Sequence, residues 1–217
     1  MDSIRVRYQT IEFDDIDVHV RSLRDNQQFS DPLGEAEALG ISSAQWSLFG
    51  VVWKAGEVLA REMAQFDIKG KRILEVGCGM ALASLLLKCR DADITATDYH
   101  PEAGAFLTEN VRLNRVDDIP FLQTSWDNKQ DGLGMFDVVI GADILYEEQH
   151  IELLSDFIDR HANPACEVVV VDPGRGLHAQ FSKKMIDLGY DHSQHKPEPA
   201  EDEEAPFKGQ VLRYERG

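Results

Sequence analysis

The sequence has 217 residues, 43% apolar and 28% charged, a length and balance that fit one globular domain and exclude general disorder. No apolar run approaches the ~20 residues of a membrane span, and Met1-Asp2-Ser3-Ile4-Arg5 lacks the basic and apolar regions of a secretory signal. Asp and Glu number 39 against 22 Lys and Arg, giving a net charge of −17; that sign argues against a nucleic-acid substrate. It suits a cationic partner, such as a lysine-bearing protein surface, although the same acidity also serves solubility.

Three cysteines, Cys78, Cys89 and Cys166, form neither an even set nor a C-x-x-C pair, so the expected setting is a reducing cytoplasm with no disulfide framework and no zinc ribbon. The seven histidines show no ligand spacing, and no metal site is expected.

In chain order, residues 4–13 and 16–23 alternate apolar and polar residues around Asp14-Asp15, the pattern of a β-hairpin. Asp31-Pro32-Leu33-Gly34 is a turn or linker. Residues 1–40 are therefore expected to form an N-terminal extension and residues 41–217 the main domain. Apolar residues at helical spacing predict an amphipathic helix over 51–66. After Gly70 strands and helices alternate: strands at 72–76, 93–97, 120–123, 136–141 and 167–171, and helices at 80–88, 101–114, 147–161 and 177–188. That rhythm predicts an α/β, doubly wound, mostly parallel sheet with helices on both faces. Residues 197–206, rich in acids and proline, are expected to be an exposed loop. Segments 190–195 and 209–214 can pair on either side of it as an antiparallel edge.

The residues Ile73-Leu74-Glu75-Val76-Gly77-Cys78-Gly79-Met80-Ala81 run from a strand through a glycine turn into a helix, the place where doubly wound sheets bind ligands. Asp98 closes the next strand, where an acid can hold both hydroxyls of a ribose. A dinucleotide loop has a third glycine where this chain has Leu82. A pyrophosphate also prefers helix amides to neighbouring carboxylates. Glu75 and Asp98 instead suit S-adenosylmethionine, which carries an ammonium and a sulfonium and no phosphate, so a dehydrogenase ranks behind a methyl donor site.

Four stretches carry a family resemblance: Val51-Val52-Trp53-Lys54-Ala55-Gly56, Leu74-Glu75-Val76-Gly77-Cys78-Gly79, Ser125-Trp126-Asp127 and Gly141-Ala142-Asp143-Ile144-Leu145-Tyr146. From about residue 45 onward the chain resembles the class I (seven-stranded) S-adenosylmethionine-dependent methyltransferases, and within them the protein-lysine methyltransferase-like family. The resemblance implies the Rossmann-like methyltransferase fold with S-adenosylmethionine as cofactor. It also implies cofactor binding by Trp53, Glu75, Gly77, Cys78, Gly79, Asp98, Tyr99, Trp126 and Ala142, with Asp143 and Tyr146 facing the acceptor. Met80-Ala81 stands where the family usually has Thr-Gly, and Trp53-Lys54 where Trp-Pro or Trp-Asp is usual. Asp172-Pro173-Gly174-Arg175 resembles the branch that methylates the β subunit of electron-transfer flavoprotein.

Each of these residues also has a plainer reading. Trp53 and Trp126 can be packing residues, Cys78 a small apolar filler and Asp143 the N-cap of the following helix. Tyr146 can pack on that helix, and Asp172 to Arg175 can be a tight turn. The function implied is N-methylation of an exposed lysine on a protein substrate, with no nucleic-acid or membrane partner and no oligomeric state specified. A small-molecule N- or O-methyltransferase and an inactive cofactor-binding protein stand as alternatives.

Overall fold

The computed structural model describes residues 4–198 and 206–217. The hairpin forms where the alternation places it: β1 (Val6–Phe13) and β2 (Ile16–Leu23) pair antiparallel from Val6↔Leu23 to Phe13↔Ile16. Asp14 takes a left-handed φ of 51° at the turn. The inner face, with Val18 and Val20 fully buried, joins the core on one side of the main sheet, and Leu23 at the strand end is buried as well.

The chain then runs through two single-turn helices, α1 (Glu35–Ala38) and α2 (Ser43–Trp46), and a 3-10 turn at Ser47–Gly50, before α3 (Lys54–Ala64). From there strands and helices alternate: β3 (Arg72–Val76), α4 (Leu82–Cys89), β4 (Asp93–Asp98), α5 (Ala103–Asn114), β5 (Phe121–Gln123) and β6 (Phe136–Ala142). They continue with α6 (Gln149–His161), β7 (Ala162–Asp172), α7 (His178–Asp187), β8 (Asp191–His195) and β9 (Gln210–Arg216). Seven strands form one sheet in the order β5-β4-β3-β6-β7-β9-β8. The first five are parallel, and β9 runs antiparallel to both its neighbours. This is the doubly wound α/β sheet expected, with its antiparallel C-terminal edge.

Alternation across the sheet builds two cores. Ile73, Val138, Ile140, Val169 and Val171 face α3, α4 and α5, whereas Leu74, Val76, Val139, Val168 and Val170 face α6 and α7. Helices cover both faces, so the central strands read as unbroken apolar runs rather than alternating ones. Among the described residues no helix is long and apolar enough to cross a membrane.

Several boundaries differ from the sequence-based expectation. The helix expected over 51–66 begins at Lys54, because the 3-10 turn ends at Val51 in extended geometry (φ −113°, ψ 152°) and β-branched Val51-Val52 favour that state. The helix expected from residue 80 starts at Leu82, since Ala81 caps it in the left-handed region at φ 54°. Strand β7 starts at Ala162, directly after α6, and residues such as Asn163 and Pro164 hide its first half from an apolar-run criterion. Residues 199–205 of the expected acidic loop lie outside the described residues.

The free edge of β2 is closed by side chains of α5. Asn110 Oδ1 accepts the Arg21 N–H (2.7 Å), and its amide donates to Arg21 O (3.2 Å). Asn114 does the same for His19, at 2.7 Å in each direction. Residues four apart on a helix thus meet residues two apart on a strand, and the carboxamides substitute for a neighbouring strand. Asn110 is fully buried, and Asn110→Ala strips Arg21 of both partners. We expect a loss of about 2 kcal/mol, read as a lower urea midpoint with the denaturant slope unchanged.

Candidate active site

The carboxyl ends of β3, β4, β6 and β7 open on one side of the sheet, and residues 40–53 fold over that opening. Between them lies a cavity of about 770 Å³, within the ~300–1,000 Å³ range of small-molecule sites. Trp53, Glu75, Gly77, Cys78, Gly79 and Asp98 line it, and so do Tyr99, Trp126 and Ala142. Asp143 and Tyr146 lie on the same wall system. The structure therefore brings together every site residue that the sequence singles out.

The glycine loop is tied to the end of β4. The Cys78 N–H donates to Thr97 O (2.9 Å), and the Gly79 N–H donates to Asp98 Oδ2 (2.7 Å). Gly77 has φ +60°, and a Cβ there would lie 2.8 Å from Ile144 Cγ2, so both backbone and packing require glycine. The His100 N–H donates to Asp98 Oδ1 (2.8 Å). Each oxygen of Asp98 thus holds one amide and keeps acceptor capacity for a hydroxyl donor. Burial raises the Asp98 pKa above the usual carboxylate range, and the bound amides oppose that rise.

Glu75 is 4% exposed. Its Oε2 accepts the Ser84 N–H (3.0 Å) and the Ser84 hydroxyl, so the carboxylate caps the start of α4. A helix amide that a pyrophosphate would need is occupied, which agrees with the charge argument against a dinucleotide. Burial pushes the Glu75 pKa up from 4.5 to about 7, against the opposing Ser84 bonds. Because the folded value lies above the unfolded one, the associated stability is complete below pH 4.5 and is lost as pH rises through about 7. Glu75→Gln keeps an oxygen for Ser84 and removes the ionisation. It should stabilise the ligand-free protein by up to ~3 kcal/mol above neutral pH and by little at pH 4.5, read as melting temperature against pH.

The other expected cofactor residues are fixed from several directions. The Trp53 indole N–H donates to Leu48 O (2.7 Å), a bond within the covering segment, and the Tyr99 hydroxyl donates to Leu39 O (2.6 Å), tying the chain just ahead of that segment to the residue after β4. Trp126 meets the His150 ring edge-to-face at 5.1 Å. Cys78 is buried, and burial followed by the carboxylates of Asp98 and Glu75 holds its thiol well above the usual range. A thiol in that state is a filler and not a nucleophile.

Where the sequence leads one to expect the acceptor, Asp143 follows β6 with φ 55°, and its N–H donates to Val171 O (2.9 Å). It is not a helix cap, because the N-cap of α6 is Glu148. Asp tolerates the left-handed region better than most residues, so this backbone turn aims its carboxylate into the cavity. Both carboxylate oxygens meet Arg175: Nε donates to Oδ1 (2.5 Å) and Nη2 to Oδ2 (2.7 Å). The Tyr146 ring packs edge-to-face on His150 at 4.5 Å. Partial burial, then the carboxylates of Asp98, Glu147 and Asp143, raise the Tyr146 pKa, so the phenol stays a proton donor.

Two features of the site lie beyond the sequence analysis. His150 joins Trp126 and Tyr146 into one aromatic wall, and its position four residues after Tyr146 at a helix start was the available signal. The covering segment also contributes Ile41, Leu48 and Phe49. Its short helices leave too few turns for a periodic pattern.

Comparison with known proteins supplies the family. A model described as lysine methyltransferase matches residues 37–185. The protein N-lysine methyltransferase METTL21A of Danio rerio is 34% identical over 140 residues, covering 59% of this chain and 63% of that protein. The electron transfer flavoprotein beta subunit lysine methyltransferase of Mus musculus is 29% identical over 149 residues, covering 67% and 55%. The chain thus spans between about half and two thirds of the length of these relatives. A T. thermophilus 16S rRNA methyltransferase, solved with AdoMet (S-adenosylmethionine) and guanosine, shares the fold. Its TM-score is 0.66 at 14% identity, over 99% of this chain and 51% of that one. With a family model spanning most of its sheet and the methyltransferase strand order behind its glycine loop, the chain belongs to the lysine methyltransferase family, on the fold of the S-adenosylmethionine-dependent methyltransferases.

Proposed function

We propose that the chain transfers a methyl group from S-adenosylmethionine to the ε-amine of an exposed lysine on a protein substrate. The observation that carries this reading is the shared cavity: the Asp143 carboxylate and the Tyr146 phenol line the same space as the glycine loop and Asp98. The lysine-methylating relatives support the choice of acceptor, and so does the net charge of −17.

When bound, S-adenosylmethionine supplies a methyl group already activated on a sulfonium. The task left to the chain is to hold acceptor and methyl in line and to exclude competing nucleophiles. Asp98 would hold the ribose hydroxyls with the acceptor capacity left on its two oxygens, and the Gly77-Cys78-Gly79 backbone with Glu75 would hold the methionine part. Trp126 would line the adenine site, and Ala142 at the end of β6 would offer the cofactor a backbone contact. Tyr99, bonded to Leu39 O, ties the start of the covering segment to the site, and Trp53, bonded to Leu48 O, braces that segment internally. A lysine ammonium has no lone pair and titrates near ~10.4 when unperturbed, so it must release a proton to water before it becomes a nucleophile. Asp143 and Tyr146 orient the resulting amine and do not act as strong bases.

The N-terminal extension, residues 1–40, approaches this site through Leu39, whose carbonyl binds Tyr99, and is proposed to contribute to substrate recognition. A cytoplasmic location fits the three free thiols. The test is incubation of the protein with methyl-labelled S-adenosylmethionine and cell extract, followed by separation of macromolecules from small solutes. Label in a discrete protein band supports the proposal. Label confined to small solutes makes the chain a small-molecule methyltransferase, and none in either fraction makes it a binding protein.

A further inference from the structure

The acceptor end holds a charge arrangement that amine binding alone does not demand. Five carboxylates line the cavity, those of Glu75, Asp98, Asp127, Asp143 and Glu147, and Arg175 is the one lysine or arginine among its described lining residues. Arg175 also sits on a backbone built to present it. Gly174 and Gly176 flank it with φ of 97° and 91°, and buried Asp172 fixes the turn by accepting the Gly174 N–H at 3.0 Å. The register of β6 on β7, Ala142↔Val171, sets Asp143 and this turn at adjacent strand ends. The guanidinium then grips Asp143 through two parallel bonds, with the Asp143 side chain 13% exposed and that of Arg175 46%.

We infer that Arg175 is a positioning residue of the acceptor site: its bidentate pair with Asp143 fixes that carboxylate's orientation and cancels its charge, so that the incoming lysine enters as the neutral amine. The inference rests on the lysine reading above. An unpaired carboxylate beside the acceptor stabilises the ammonium and raises its pKa, which opposes nucleophilic attack. A paired one keeps a lone pair on each oxygen for an amine N–H, while the guanidinium charge disfavours the ammonium. The other ionisable groups around the pair are Asp172 of β7, His178 of α7, Tyr146 and Glu147 ahead of α6, His150 of α6 and Asp98 of β4. The acids among them favour the ammonium, and Arg175 is the permanent charge that opposes them.

The test measures initial rates of label transfer to cell-extract protein, at saturating methyl-labelled S-adenosylmethionine, across pH for the wild type, Arg175→Ala and Arg175→Lys. Calorimetric titration with S-adenosylmethionine runs alongside. Removing the guanidinium should move the acidic limb of the rate profile up by about one pH unit, as expected of one nearby, partly screened charge. Arg175→Ala should therefore lose roughly tenfold near neutral pH, recover most of the wild-type rate in alkali and bind the cofactor as before. Arg175→Lys, which keeps the charge and loses the fork, should restore the position of the limb. An equal loss at every pH would make Arg175 merely structural, and a gain at every pH would make it a competitor of the substrate; either overturns the inference. A wild type that labels no protein overturns the lysine reading itself and the inference with it, an outcome distinct from a defect confined to the variants.

Discussion

Asp143→Asn is expected to slow methyl transfer by about 100-fold or more, the scale of a misplaced reacting group, while affinity for S-adenosylmethionine stays within a few fold. Asparagine tolerates the left-handed backbone that residue 143 occupies at φ 55°, so the turn after β6 should survive the change. What is lost is one carboxylate oxygen: the amide cannot accept both Arg175 bonds and turns an NH2 toward the acceptor. Asp143→Ala should fail in the same way, with ~1–2 kcal/mol of added backbone strain. Rates on labelled extract protein and calorimetry on the same samples make the check. Should cofactor binding collapse along with turnover, Asp143 is a cofactor or scaffold residue and its assignment to the acceptor is wrong.

Asp98→Asn should show the opposite split. Its two oxygens each hold a backbone amide, of Gly79 and of His100, and an asparagine oxygen can serve only one side of that arrangement. A bond to a charged group contributes ~1.5–3 kcal/mol, so losing one and loosening the glycine loop should weaken cofactor binding by about 100-fold. The deficit should appear as a higher KM for S-adenosylmethionine, with much of the turnover rate regained at saturating cofactor. A variant that binds the cofactor normally would remove Asp98 from the cofactor site. Together the two substitutions separate the halves of the cavity, because each should impair one ligand and spare the other.

Sequence periodicity exposes the parts of this fold that repeat. Buried on both faces, Val168 to Val171 read as a strand without any alternation, and the strand before Gly77 and the acid at 98 point to a ligand loop before any coordinates are at hand. What stays hidden is set by geometry between distant segments. The start of α4 depends on Ala81 adopting φ 54°, and α3 begins late because the turn at 47–50 hands on an extended Val51. Pairing of Asp143 with Arg175 requires two adjacent strand ends and a double-glycine turn; sequence spacing carries the glycines but not their aim. The aromatic wall of Trp126, His150 and Tyr146 likewise forms only once α6 leaves the sheet at the right angle. Asn110 and Asn114 look like ordinary helix-surface residues until β2 is laid against them.

The chemical identity of the methylated residue decides whether the acceptor atom is a lysine nitrogen. Protein labelled from methyl-labelled S-adenosylmethionine is hydrolysed in acid, and the amino acids are separated against standards. A lysine acceptor predicts label in methyllysine, accumulating about 100-fold more slowly when Asp143→Asn replaces the wild type. Label in methylated arginine or histidine, or released as methanol from a methyl ester, would contradict it.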